Sequence, residues 1–366
     1  MLTDSKIYYD DICSIVNDTT LPWERYRNKS ILITGATGLI GSTLVNTFLA
    51  ANTQLALNCK VYLIVRNINK VVKLFGDTLE NTCTIFASSI EDFTSFTDKI
   101  DYIIHTASCT SSKAFVEHPV ETFLTNIIGT KNLLEIASSQ AIESMIYLST
   151  MEVYGTPMTD EKITENIPSS LKPSDVRNSY PVSKVACENL CRCYSAEYGV
   201  PTTILRLTQT FGPGVDYNDG RVFAEFARDV IEQRDIVLKT KGNTKRNYLY
   251  TADAVKAILI ALIKAEKNGD IYNVANEETY CTISEMADLV ASLDLDKKIS
   301  VKYEIQDIDV HGYAPTLHMN LDCNKLKKLG WFPTWGLRQM YQRMIADMIS
   351  YKNCCEVINE KAYFKN

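Results

Sequence analysis

The sequence predicts an α/β protein: a parallel sheet with helices on both faces, followed by a smaller mixed α/β C-terminal lobe. Three observations predict it. Between residues 30 and 206, short apolar runs of strand length alternate with helical stretches, the signature of strands buried on both faces. A glycine-spaced turn follows the first of those strands and opens a helix. Beyond Gly212 the alternation weakens and loop punctuation takes over.

Residues 1–28 precede the first strong strand and read as an arm, packed onto the body through Leu21-Pro22-Trp23. SILIT at Ser30–Thr34 is a strand, residues 41–49 a helix, and KVYLIV at Lys60–Val65 the next strand. The runs at 101–105, 144–149 and 202–206 repeat the theme. Gly212-Pro213-Gly214 and Asn218-Asp219-Gly220 then mark loops. Helices at 222–232, 253–264, 284–293 and 337–349, with a short strand at 235–238, complete the chain. This divides it into the arm 1–28, a sheet domain 29–210 to which 240–265 returns, and a lobe of 211–239 and 266–366.

Composition narrows the partners. The 366 residues are 46% apolar and 22% charged, as in ordinary globular proteins, which excludes a disordered chain. The net charge of −6 gives no reason to expect nucleic acid. No apolar run approaches the ~20 residues of a membrane span, and the acidic N-terminus does not read as a secretory signal. The eleven cysteines are scattered and odd in number, which suits reduced thiols in a cytoplasmic protein better than a disulfide framework. Cys187, Cys191 and Cys193 have no second pair at zinc spacing, so no metal is expected.

Gly35-Ala36-Thr37-Gly38-Leu39-Ile40-Gly41 sits between strand and helix. Glycines there allow a tight turn and bring backbone N–H groups onto a pyrophosphate, with the helix N-terminus favouring the anion. Gly35, Thr37, Gly38, Leu39, Ile40 and Gly41 are therefore candidate cofactor contacts in a Rossmann-like domain. The G-x-x-G-x-x-G spacing resembles that of the short-chain dehydrogenase/reductase superfamily. Arg66 ends the second strand, where an acidic residue usually receives the ribose hydroxyl. It either pairs with a 2′-phosphate, favouring NADP over NAD, or is a solvated strand end. Ser89 and Ile90, after the third strand, stand where such proteins cover the adenine ring.

Tyr180-Pro-Val-Ser-Lys184 places two side chains on one helical face. The Lys184 ammonium would stabilise a Tyr180 phenolate, letting Tyr180 take a proton from a sugar hydroxyl while hydride leaves the same carbon. Thr150 ends a strand on the carboxyl side of the sheet, where ligands bind in such folds, and adds a hydroxyl. Asn126 lies on the helix after the fourth strand.

In these segments the chain resembles the extended short-chain dehydrogenase/reductases, specifically the nucleotide-sugar epimerase/dehydratase/decarboxylase group, from Lys29 to about Ile345. The resemblance implies that Thr150, Tyr180 and Lys184 form the catalytic triad and that a nicotinamide cofactor, NAD or NADP, is bound. It implies that Arg206 and Thr210-Phe211-Gly212-Pro213 line the sugar-nucleotide cleft, with Gln209 where Asn is usual. Arg221 and Arg246 resemble diphosphate clamps, and Leu329-Gly330-Trp331 the closing structural segment. A nucleotide-diphosphate sugar as substrate and a homodimer paired through two helices are also implied.

Subfamily rests on Thr150-Met151-Glu152. The 4,6-dehydratases resembled here carry Thr-Asp-Glu, and a thioether cannot replace that acid. UDP-glucuronate decarboxylases share the Thr-x-Glu-Val-Tyr-Gly pattern, although the sequence alone assigns no arginine to a sugar carboxylate. The reading favoured by the sequence is epimerisation through a transient 4-keto sugar, with Glu152 as proton-transfer base. A net NADPH-dependent reductase, suggested by Arg66 and Met151, and a decarboxylase-like enzyme are the alternatives.

Overall fold

Continuous apolar strands need helices on both sides to escape water, and the chain supplies them. The computed structural model describes all residues except 77, 78, 80, 81, 109–111, 295–297, 307–315 and 364–366, with side chains of 112–114 and 353–363 also outside the description. Among the described residues the main sheet has seven strands: β1 (Ser30–Thr34), β2 (Lys60–Val65), β3 (Cys83–Ala87), β4 (Tyr102–His105), β5 (Ser144–Thr150), β6 (Thr202–Leu207) and β10 (Asn268–Val274). Their order is β3-β2-β1-β4-β5-β6-β10, every neighbouring pair parallel. The order reverses direction beside β1, so the crevice at the carboxyl ends of β1 and β4 is the place for a ligand.

Strand alternation splits the core in two. Ile31, Ile33, Ile104 and Leu205 point toward α2 (Leu39–Leu55) and α8 (Thr251–Lys264). Leu32, Ile103, Met145 and Ile204 point toward α5 (Pro119–Ser139) and α6 (Ser179–Tyr198). The period of two along each strand produces both faces from one sequence.

The second unit gathers around β9 (Lys245–Tyr250), which pairs with β7 (Gln209–Phe211), β11 (Asn276–Thr282) and β13 (His318–Met319). A separate pair, β8 (Ile236–Leu238) with β12 (Val301–Tyr303), lies in the same part of the chain. The helices of this part are α7 (Val222–Ile231), α9 (Ile283–Ala291), α10 (Asn324–Lys327) and α11 (Leu337–Tyr363). Two boundaries differ from the sequence expectation. β9 lies in 240–265 yet belongs to the second sheet, and β10 lies beyond 265 yet completes the main one. β10, at the sheet edge, is half polar and bulged between Asn268 and Asp270, so it lacked the apolar run that marks the central strands.

The arm is more than a tether. Residues Lys6–Val16 form α1, with Tyr8, Ile12, Ile15 and Val16 buried at helical spacing. Asp11 shares that buried face and is satisfied there: the Tyr250 hydroxyl donates to it at 2.5 Å and Arg343 of α11 at 2.6 Å. Leu21 and Trp23 join the same core, and the Tyr26 hydroxyl donates to the Leu259 carbonyl of α8 at 2.6 Å. At the far end, Asp253 accepts from the backbone N–H groups of Thr334 and Trp335, and Trp331 donates to the Asp253 carbonyl, fixing the closing segment on α8.

His105, at the end of β4, is held between Thr34 Oγ1 at 2.8 Å and Thr130 Oγ1 at 3.2 Å. Burial, helped by the charge of Lys184, pushes its pKa down to about 3. An unfolded chain takes that proton near pH 6.5. Stability from neutral His105 is therefore complete above about pH 6.5 and lost as pH falls toward 3, at about 1.4 kcal/mol per pH unit. Urea melts of wild type and His105→Asn between pH 7 and 5 test this: the wild type should show the steeper loss, and parallel slopes would reject it.

Candidate active site

The cofactor turn is shaped by contacts that exclude side chains. Gly35 has φ +67°, and a Cβ there would stand 2.6 Å from Thr106 Oγ1 and 2.7 Å from the Ala107 nitrogen. A Cβ on Gly41 would fall 2.2 Å from the Gly35 carbonyl oxygen, so only glycine lets α2 start this close to the turn. Gly38 is exposed and caps α2 without any side-chain hydrogen bond, which leaves the first N–H groups of the helix for an anion. Thr37, Leu39 and Ile40 stand half-exposed around it. These residues fit the pyrophosphate of a dinucleotide.

Around the adenosine end the arrangement is more mixed. Arg66 is exposed at the end of β2. Ser89 is engaged by Asp92, donating to it at 2.7 Å. Ile90 is buried under α5 against Gly129, and its carbonyl accepts from Asn132.

The catalytic floor is zipped together by α6 and β5. Lys184 is buried, and its ammonium donates to the Leu148 carbonyl at 2.8 Å while lying 4.8 Å above the Tyr147 ring and 5.8 Å from the Tyr180 ring centre. Burial lowers its pKa to about 8, with Cys187 and then Glu188 pulling the other way. One turn further, Glu188 accepts from Ser149 at 2.6 Å and from Arg206 through two nitrogens at 2.9 and 2.6 Å. Thr150 follows directly, capping the short turn Met151–Tyr154 by accepting from the Glu152 N–H at 3.3 Å.

Asn126 lies behind this floor. It donates to Ser183 at 2.8 Å and accepts from Ser108 at 2.8 Å, while Ser183 donates to the Tyr180 carbonyl at 2.7 Å. Its amide nitrogen braces the first turn of α6 through Ser183. Phe115, on α4 (Ser112–Glu117), stacks on the Tyr180 ring at 4.3 Å and 4°. The sequence reading missed it because its helix is short and has no motif.

Charged groups converge on the open side. Glu152 is exposed to the cleft, but the walls around it desolvate its carboxyl and raise its pKa, against the opposing charges of Arg246 and Arg177. Arg177, three residues before Tyr180, was not among the sequence candidates, since it lies in a loop-rich stretch with no repeat. Arg246 Nε and Gln209 Oε1 are both buried without a partner, on the adjacent strands β9 and β7. Buried polar atoms seldom stay unpaired, so these two suit a bound polar ligand.

Two other candidates sit in different settings, one sealed and one half-exposed. Arg206 is sealed inside by Glu188 and the Tyr154 ring, 4.7 Å away, and so braces the floor from below where cleft lining was expected. Arg221 is clamped by Asp219, at 3.0 and 2.5 Å, and lies over Phe223 at 4.8 Å, which orients it at the start of α7. Met151 turns into the core, where its sulfur accepts from Thr208 at 3.1 Å. No group of three metal-ligating side chains occurs among the described residues, and no described helix is long and apolar enough to cross a membrane.

Residues 31–275 match the family model of the NAD dependent epimerase/dehydratase family. UDP-glucuronic acid decarboxylase 6 of Arabidopsis thaliana is 30% identical over 85% of this chain and 86% of its own length. A UDP-N-acetyl-alpha-D-glucosaminuronate decarboxylase of Bacillus cytotoxicus is 29% identical over 86% and 97%. The solved UDP-glucose 4-epimerase of Thermotoga maritima shares the fold with a TM-score of 0.75 at 22% identity, covering 88% of this chain and 99% of that one. With the glycine turn, the buried lysine and the tyrosine on one scaffold, the chain belongs to the NAD-dependent epimerase/dehydratase family.

Proposed function

We propose that this protein oxidises the C4 hydroxyl of a nucleotide-diphosphate sugar, rearranges the resulting keto sugar and returns the hydride. The observation that carries the reading is the buried Lys184 ammonium, pinned to Leu148 one helical turn from Tyr180. Bound NAD(P) supplies the hydride acceptor. Tyr180 takes the hydroxyl proton, Lys184 steadies the phenolate, and Thr150 shares the hydrogen bond to the same oxygen. Glu152, with its raised pKa, serves where the rearrangement requires a proton at the carbon next to the ketone, a step that simple inversion at C4 does not need. In the epimerase reading the hydride returns to the opposite face of C4 and the carbon skeleton is kept.

Arg177 favours a second reading. Two arginines facing one catalytic carboxylate make a positive pocket that suits a sugar carrying a carboxylate at C5. A 4-keto group beta to that carboxylate lets the C5–C6 bond break with its electron pair moving onto the ketone oxygen. Carbon dioxide leaves, and C5 is protonated before the hydride returns. The similar decarboxylases of Arabidopsis thaliana and Bacillus cytotoxicus support this route.

Mass spectrometry of nucleotide released from freshly purified protein comes first. A recycling enzyme retains close to one NAD or NADP per chain, whereas an empty site moves the net reductase ahead. UDP-glucuronate labelled at C6 then divides the outcomes: labelled carbon dioxide means decarboxylation, and a labelled 4-epimer means epimerisation. In either case Tyr180→Phe should lower kcat by about 10²- to 10⁴-fold while retained cofactor is unchanged; full turnover in that variant would remove Tyr180 from the chemistry. Arg177→Ala should raise KM for the uronate and leave any neutral nucleotide sugar unaffected.

A further inference from the structure

The arm lies outside the matched family region, which begins at residue 31, yet one of its side chains reaches the place where cofactor turn and substrate segment meet. Tyr8 is buried at 1% exposure. Its hydroxyl accepts from Asn46 Nδ2 at 3.1 Å and lies 3.4 Å from Thr43 Oγ1, both on the cofactor helix α2. Its ring lies against Gly214: a Cβ built on that glycine would stand 3.1 Å from Cε2 of Tyr8 and 3.5 Å from Cδ1 of Leu39. Gly214 has φ +87°, so the chain turns there in a conformation that leaves no room for a side chain. From the other side, Asp347 of α11 accepts the Gly214 N–H at 2.7 Å. Gly214 is thus held between the arm, the first residue of α2 and the C-terminal helix.

Gly214 begins the stretch that leads through Asn218 and Asp219 to Arg221 at the start of α7. That loop is held at its far end by α7, where Arg228 donates to the carbonyls of Tyr217 at 2.7 Å and Asp219 at 2.6 Å, while Asp216 and Asp219 cap local turns. Its stem is fixed at Gly214. The arm is fixed in turn by the buried Asp11, which receives Tyr250 and Arg343.

We propose that the N-terminal arm preorganises the substrate segment, with Tyr8 as the positioning residue that sets Gly214 and, through it, Arg221 for a nucleoside diphosphate. This rests on the reading of Arg221 and its segment as the diphosphate side of the cleft. An ordered segment spares the ligand the entropy of ordering it, so loosening the stem weakens diphosphate binding and spares the chemistry at Tyr180. The Tyr8 hydroxyl bonds Thr43 and Asn46, past the glycine turn itself, so cofactor retention is expected to survive loss of its ring.

Calorimetric titration with UDP, CDP, GDP and dTDP, together with measurement of retained cofactor and melting temperature, tests this on the full chain. Tyr8→Ala should weaken the preferred diphosphate by about tenfold, equivalent to about 1.4 kcal/mol, with cofactor per chain unchanged. Tyr8→Phe keeps the ring under Gly214 and should stay within about threefold of wild type. Asp347→Ala releases the same stem from the opposite side and should match Tyr8→Ala; it also serves if Tyr8→Ala fails to fold. Wild-type affinity in Tyr8→Ala or Asp347→Ala overturns the proposal, as does a parallel loss of cofactor and diphosphate. A wild-type protein that binds none of the four diphosphates overturns the functional reading and this inference with it. Intact wild-type binding tells the two failures apart.

Discussion

A cation kept dry at the floor of the cleft is the constraint on which the rest of the structure depends. Lys184 loses its water on folding, and a lone buried ammonium is costly. Three things keep it charged near neutrality: the Leu148 carbonyl, the face of Tyr147 and the carboxylate of Glu188 one turn away. Glu188 in turn needs its own partners, and Arg206 and Ser149 supply them. Those partners sit on β6 and β5, so the charge requirement of one lysine fixes the registration of α6 against two central strands. The catalytic geometry and the packing of the sheet are the same set of interactions.

The lobe answers to a different rule. β7 follows β6 after a single residue and leaves the main sheet to pair with β9. Thr208, at the crossing, donates to the Asn247 carbonyl at 2.5 Å and lies 3.1 Å from the Met151 sulfur. Gln209 and Arg246 are therefore carried on backbone that is continuous with the catalytic domain. Their unpaired polar atoms are held at the junction, where a ligand spanning both units would meet them.

What the sequence revealed follows from the physics of each segment. SILIT and KVYLIV are buried along almost their whole length, so their boundaries were readable to the residue. The glycine turn was readable because sterics admit no other residue at Gly35 and Gly41. β10 was hidden by its polar content and its bulge. α1 was hidden for another reason: Asp11 interrupts its apolar face, and its carboxylate is acceptable there only because Arg343, 332 residues away, comes to meet it. Arg177 and Phe115 lie on segments whose role depends on where the fold brings them, which no local pattern encodes. Arg206 was legible as important, but its partner Glu188 was needed to show that it points inward.

Met151 decides how the proton traffic is arranged. In a dehydratase-like site the residue after the catalytic Thr delivers a proton to a leaving hydroxyl. Here that position is turned into the core with its sulfur bonded to Thr208, so replacing the side chain with an acid would bury a carboxyl instead of presenting one. Glu152, the next residue, is exposed, and burial of its carboxyl and the charges of Arg246 and Arg177 act on its pKa in opposite directions. Desolvation makes it a stronger base, and the charges of Arg246 and Arg177 oppose that shift. Such a site can remove or return a proton beside a ketone, and it can steady a second carboxylate near the arginines. With Met151 in the core, the acid that expulsion of hydroxide requires is missing from that position, which sets this site apart from the dehydratase pattern.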